Sequence, residues 1–342
     1  MVNFIEKLFQ NNSASRDSQT QQHSPWDQVE LSFVQEGSEL PLVITPKVPE
    51  LNLVRWVQQH REAIKAELLS KGGVLFRGFQ VRNEADFERV LSLVGGKLQE
   101  YSYGSTPRSQ VTGKIYTSTE YPANQVIPLH NEMSYSQSWP MTLGFYCVQP
   151  ARKDGFTPIA DSRKVFQRIA PERREKFQTK QVMYVRNYID GLLDVPWQKV
   201  FQTDSKAKLQ KICDRLGIKV EWLRDDHLRT AQICQGVATH PITKDPVLFN
   251  QAHLFHVSNL PAAVREKLLM LLPPDHLPRN AYYGDGTELE AETLAEIRDA
   301  YEQEAVYFAW QKDDVLLLDN MLAAHGRSTF EGSRKILVGM TA

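Results

Sequence analysis

The sequence predicts a mainly β fold with α-helical insertions, and three observations carry that prediction. Beyond residue 100, short apolar runs recur between Pro, Gly and Asp turns, the pattern of a sandwich or rolled barrel. Helical spacing is confined to a leading segment and to a few later inserts. No internal repeat or linker divides the chain into two independent cores.

Taken in order, residues 1–28 form an expected N-terminal tail outside the fold: from Gln10 onward they are rich in Asn, Ser and Gln and offer little to bury. Leu51 to Lys71 carries Leu53, Val54, Trp56, Val57, Ile64, Leu68 and Leu69 at helical spacing, and Glu84 to Val94 repeats the pattern more briefly. Between them Gly73 to Phe79 reads as a glycine-bracketed strand. Strands are then expected at Lys114 to Glu120, Met141 to Val148, Val182 to Ile189, Gln232 to Thr239, Pro246 to Asn250, Val306 to Trp310, Val315 to Asp319 and Lys335 to Met340. Helices interrupt them at Ser205 to Leu216, Pro261 to Leu272 and Leu289 to Glu304. Residues 29–342 are thus expected to form one domain, with a helical insert around 162–300.

Composition excludes several classes. A formal net charge of -1 argues against a nucleic-acid binder, which needs a basic excess to meet phosphates. No run approaches membrane-spanning length, and Met1 to Phe9 alternates apolar and charged residues, unlike the continuous apolar stretch of a secretory signal. Cys147, Cys213 and Cys234 lack CxxC spacing, so neither a disulfide framework nor a thiolate zinc site is indicated, and a cytoplasmic setting is expected.

Chemistry is concentrated in two segments. Leu129-His130-Asn131-Glu132-Met133 places an imidazole and a carboxylate one residue apart, and on a strand such a pair shares a face. His325, far downstream in Asp319-Asn320-Met321-Leu322-Ala323-Ala324-His325-Gly326-Arg327, supplies a second imidazole. His130, Glu132 and His325 together make the two-histidine, one-carboxylate facial set that suits non-heme Fe(II) and leaves coordination positions open for chemistry.

These segments, with Ser118-Thr119-Glu120-Tyr121-Pro122, Gly155 to Arg163 and Phe249 to His256, resemble the taurine dioxygenase-like superfamily of oxygenases, within it the SyrP-like and clavaminate synthase-like branch. The resemblance runs from about Gly73 to Met340. It implies a double-stranded β-helix (jelly roll) core with flanking helices, and the cofactors Fe(II), 2-oxoglutarate and O2. The activity it implies is hydroxylation of an aliphatic carbon, β above all, of an amino acid in specialised metabolism, the substrate being free or tethered to a carrier protein. Desaturation or cyclisation with the same cofactors is the alternative outcome. The superfamily more often has Asp at position 132; the Glu found here resembles the clavaminate synthase-like variant. A carboxylate there also departs from the Ala or Gly associated with halogenases.

A bound 2-oxo acid presents a distal carboxylate, and a buried anion needs a cation. Arg334, where a turn feeds the strand starting at Lys335, is the candidate, since its fork matches a carboxylate better than Lys335 does. It is expected beside the strand that bears His325. The resemblance assigns the same arginine, with Thr157 as its partner.

Other residues carry two readings. Asn131, Asn250 and Arg327 are candidate substrate contacts, set against strand, turn or ion-pair roles. Arg108 is a loop arginine with a lesser claim. Asp319 and Asn320 are expected either to position the His325 strand or to shape a turn. His253 and His256 read as structural histidines, because no third ligand accompanies them. From the ligand types alone a zinc hydrolase or a non-catalytic cupin-like binding protein remains open; the Arg334–Thr157 pair is what a hydrolase has no need of.

Overall fold

The computed structural model describes residues 24–99, 110–118, 121–189, 195–223 and 227–342. Its framework is an eight-stranded sheet whose order is Val29–Phe33, Leu42–Pro46, Gly73–Phe76, Val315–Asp319, Thr142–Gln149, Lys335–Thr341, Ile115–Thr117 and Gln110–Thr112. A smaller sheet, ordered Ile127–His130, Ala323–Arg327 and Ile159–Asp161, holds the histidine segments. Two helices cover the outer face of the large sheet. This is the mainly β, jelly-roll architecture with flanking helices expected from the sequence.

The helices begin and end where local chemistry dictates. Leu53–Lys71 is capped by Asn52, whose side chain accepts from the Arg55 N–H at 3.0 Å, and Gly72 closes it at φ 82°. Glu84–Gly95 is capped by Asn83 in the same way. Their apolar faces explain why the central strands carry hydrophobic side chains on both sides. In Val315–Asp319, Val315 and Leu317 pack with Trp56, Phe87 and Leu91, whereas Leu316 and Leu318 enter the opposite core with Phe145 and Val338. Each fully buried side chain of this size contributes roughly 1.5–3 kcal/mol. Gly144 and Gly339 lie opposite each other on adjacent strands, and a Cβ on Gly339 would stand 2.6 Å from Leu91. The two glycines let the second helix approach the sheet.

The insert is more than helical. It holds a four-stranded antiparallel sheet ordered Lys219–Trp222, Leu228–Cys234, Val182–Tyr188 and Arg279–Tyr283. Its core, with Phe177, Tyr283, Leu294 and Ile297, also takes in Leu129, Ala160 and Ala324. Alternation then does the positioning: Leu129 and Ala324 are gripped by the insert, so their neighbours His130 and His325 turn toward the space between the two main sheets.

Several expectations are corrected. Val306 to Trp310 forms no strand and meets Ile159 through a single bridge, while Val29–Phe33, Leu42–Pro46 and Arg279–Tyr283 are strands that the reading did not include. Residues 1–23 of the expected tail lie outside the described residues, but its end does not behave as a tail. Trp26 packs on Trp56 with ring centroids 6.3 Å apart. Cys147, Cys213 and Cys234 are buried free thiols, and burial pushes the Cys147 thiol up to about 12. Among the described residues no helix is long and apolar enough to cross a membrane.

Candidate metal and co-substrate centre

The two histidines are brought together by strand pairing. His325 is the direct cross-strand partner of His130, and their rings lie 4.5 Å apart, centroid to centroid. His130 donates from Nδ1 to the Pro128 carbonyl at 2.8 Å, which fixes the ring and leaves Nε2 as its donor atom. His325 Nε2 stands 3.9 Å from Glu132 Oε2, and ligand atoms of all three residues fall within 4.8 Å of one another. Two imidazole nitrogens and one carboxylate oxygen at that spacing fit a divalent iron on one face.

Glu132 arrives there by a route the sequence did not suggest. The strand ends at His130, so His130 and Glu132 do not share a strand face; Glu132 sits in the turn that follows, where Met133 takes a left-handed φ of 56°. Asn320 holds that turn. Its Oδ1 accepts from the Glu132 N–H at 2.7 Å, and its Nδ2 donates to the carbonyls of Glu132 at 2.9 Å and Pro140 at 2.8 Å. Neighbouring Asp319 accepts from the Met321 and Leu322 N–H groups through Oδ1 and pairs with buried His240 at 3.1 Å through Oδ2. His240 Nδ1 accepts from the Thr243 N–H at 3.0 Å, so the proton lies on Nε2 and is donated to Asp319.

A small cavity beside the triad is bordered by His130, His325, Thr157, Arg327 and Arg334. Arg334 does not run beside the His325 strand as expected. It precedes Lys335–Thr341 of the large sheet and reaches across the sandwich from the opposite wall. Its Nε donates to the Gly155 carbonyl at 3.0 Å and its Nη2 to Thr157 Oγ1 at 3.3 Å. Thr157 Oγ1 also accepts from Trp310 Nε1 at 3.0 Å. Burial, and then the nearby charge of Arg327, pulls the Arg334 guanidinium down to about 10. Both guanidiniums lie over the Phe330 ring, at 5.7 and 5.3 Å. Two crowded, half-desolvated cations are a setting that a carboxylate relieves.

The three candidate substrate contacts have other tasks. Asn131 is fully buried, donating to the Asn320 carbonyl at 2.7 Å and to Ser162 Oγ at 3.0 Å. Asn250 donates to the Gly236 carbonyl and caps the Ala252 N–H, which makes it a turn amide. Arg327 shares the small cavity, but its Nη1 and Nη2 donate to the carbonyls of Tyr121, Pro122 and Gln125. It fastens that loop and adds charge. Arg108, Thr119 and Glu120 lie outside the described residues. His253 donates to the Leu129 carbonyl at 3.3 Å and stacks on Tyr301, and burial pulls its ring down to about 3; it supports the His130 strand.

Residues 37–341 match the family described as taurine catabolism dioxygenase TauD, TfdA family. The chain belongs to that family. It is an Fe(II)- and 2-oxoglutarate-dependent dioxygenase, and the zinc hydrolase and cupin-like binding readings fall away. It is 42% identical over 275 residues to the dapdiamide synthesis protein DdaC of Enterobacter agglomerans, a match covering 80% of this chain and 83% of that one. A clavaminate synthase-like protein of Arabidopsis thaliana is 30% identical over 327 residues, 89% of this chain and 94% of the other. Among solved structures, PvcB of Pseudomonas aeruginosa superposes with a TM-score of 0.54 at 18% identity, covering 95% of this chain and 94% of that one, a likeness of fold.

Proposed function

We propose that this dioxygenase hydroxylates an aliphatic carbon, the β carbon above all, of an amino acid or carrier-tethered aminoacyl group in the biosynthesis of a specialised product. In this reading His130, Glu132 and His325 hold the iron, and Arg334 with Thr157 holds the distal carboxylate of 2-oxoglutarate. One observation carries it: His130 and His325 of the clustered His–Glu–His donor set border the same small cavity as Arg334 and Thr157, which are hydrogen-bonded to each other. Similarity over most of the chain to a protein of dapdiamide synthesis supports the biosynthetic setting.

The iron, when bound, supplies the open positions at which dioxygen is activated beside the substrate carbon. The chain's own residues do the rest. Arg334 and Thr157 fix the co-substrate at its far end, so its 2-oxo acid end meets the metal face in one orientation. Phe145, with its ring 5.1 Å from His325, and Ile336 and Val338 give that cavity apolar walls that exclude water. The balance is complete: substrate C–H, O2 and 2-oxoglutarate give C–OH, succinate and CO2, with one oxygen atom in the alcohol and the other in succinate. A carboxylate at Glu132 occupies the position that a halide would need.

Mass spectrometry of products from a panel of amino acids and aminoacyl carrier proteins tests the reading. The expected result is a gain of one oxygen, with succinate formed only when iron, 2-oxoglutarate, O2 and substrate are all present. Loss of two hydrogens, ring closure or chlorination would replace hydroxylation with another outcome.

A further inference from the structure

A cavity of about 600 Å3 among the described residues is distinct from the small one that His130 and His325 border. It opens between the insert sheet and the turn carrying Glu132, whose next residues Met133, Tyr135 and Ser136 form part of its wall. A volume of this order accommodates a small-molecule ligand. On the strand Val182–Tyr188, alternation turns Tyr184, Arg186 and Tyr188 to the same side, and all three line the cavity. Aromatic rings and one arginine are thus part of its wall.

Arg186 is one of three described arginines, with Arg298 and Arg327, whose Nε is buried without a hydrogen-bond partner. Its guanidinium lies over the rings of Phe255 and Tyr135, at 5.4 and 6.0 Å. Its cross-strand neighbour is another arginine, Arg279, which also lies over Phe255 at 5.7 Å. Like charges directly opposite each other in a sheet oppose folding, and a buried donor without a partner costs more. Lys97 and Lys114 also line the wall, and among the described residues no Asp or Glu side chain does. A cavity lined in this way suits an anion.

We propose that Arg186 is a specificity-determining residue that docks an oxyanion of the substrate in this cavity, against the turn that carries Glu132. This deepens the hydroxylase reading and rests on it. Guanidinium pairs bidentately with an oxyanion while the aromatic rings hold its plane. Two sources supply that group: the carboxylate of a free amino acid, or the phosphodiester of a pantetheine arm on a carrier protein.

Equilibrium binding to the full chain, loaded with iron and 2-oxoglutarate without oxygen, separates these. The probes are N-acetyl derivatives of the common amino acids against their carboxamides, and 4′-phosphopantetheine against pantetheine. The charged member of one pair is expected to bind at least tenfold tighter than its neutral counterpart, and the pair that does so names the source. Arg186→Gln should abolish that preference while leaving 2-oxoglutarate affinity unchanged. If Arg186→Gln does not fold, Arg186→Lys should show a reduced preference. Equal binding within both pairs, no binding of any probe, or an undiminished preference in the folded variant overturns the proposal. Loss of 2-oxoglutarate binding by the unaltered chain would instead count against the hydroxylase reading.

Discussion

Asn320 and Glu132 are joined by reciprocal hydrogen bonds, the amide oxygen of Asn320 accepting from the Glu132 N–H and its NH2 donating to the Glu132 carbonyl. Glu132 lies beyond the end of its strand, so no sheet ladder fixes it, and this pair takes the ladder's place. Asn131 closes the network by donating back to the Asn320 carbonyl.

Asn320→Ala should therefore weaken metal binding without removing a ligand. A supporting residue of this kind typically changes affinity 10–100-fold. Competition titration with a chelator measures it, and an affinity equal to that of the unaltered chain would show that Glu132 holds its place unaided. Buried groups left without partners should also cost about 1–3 kcal/mol each in folding stability.

Removing His130, Glu132 or His325 in turn by substitution with Ala should abolish iron-dependent succinate formation. The check is metal content together with turnover: full iron occupancy and activity in any one variant would exclude that residue as a ligand.

Arg334→Met should raise the 2-oxoglutarate requirement steeply and remove the rise in Tm that 2-oxoglutarate gives the unaltered chain. Burying the charged guanidinium opposes folding below about pH 10, and the penalty fades as pH rises above that value toward the ordinary arginine range. A bound carboxylate offsets the penalty, so 2-oxoglutarate should stabilise most below pH 10 and weaken as Arg334 loses its proton. Stabilisation persisting in the Met variant would move the carboxylate site elsewhere.

Thr157→Val should act through two partners at once, since its hydroxyl accepts from both Arg334 and Trp310. A milder rise in the 2-oxoglutarate requirement than for Arg334→Met is expected, with a stability loss of about 1–3 kcal/mol from the buried indole N–H. Urea unfolding and KM measured on the same variant separate the two effects.

Acid should destabilise the fold through His253, held neutral down to about pH 3 by burial. Its folded value is depressed, so the unfolded chain takes up the proton first as pH falls below the ordinary histidine value of 6.5. Stability should decline by up to about 1.4 kcal/mol per pH unit from this group between those limits. Replacing it with Phe should flatten the pH dependence of the urea midpoint over that interval; an unchanged slope would assign the acid sensitivity to other groups.

The sequence by itself determined many of the local elements and the identities of the chemical groups. Asn52 and Gly72 delimit a helix, Val315 to Leu318 is apolar throughout because both faces of its strand are covered, and His130, Glu132 and His325 stand out as donor types. Only the tertiary structure decided how those groups meet. Glu132 lies in a turn instead of on a strand, Arg334 approaches from the facing sheet, and Asn131, Asn250 and Arg327 spend their hydrogen bonds on the scaffold. The physical reason is that side-chain alternation and capping act between residues close in the chain. The partners of a buried polar group are chosen by packing between segments far apart in it.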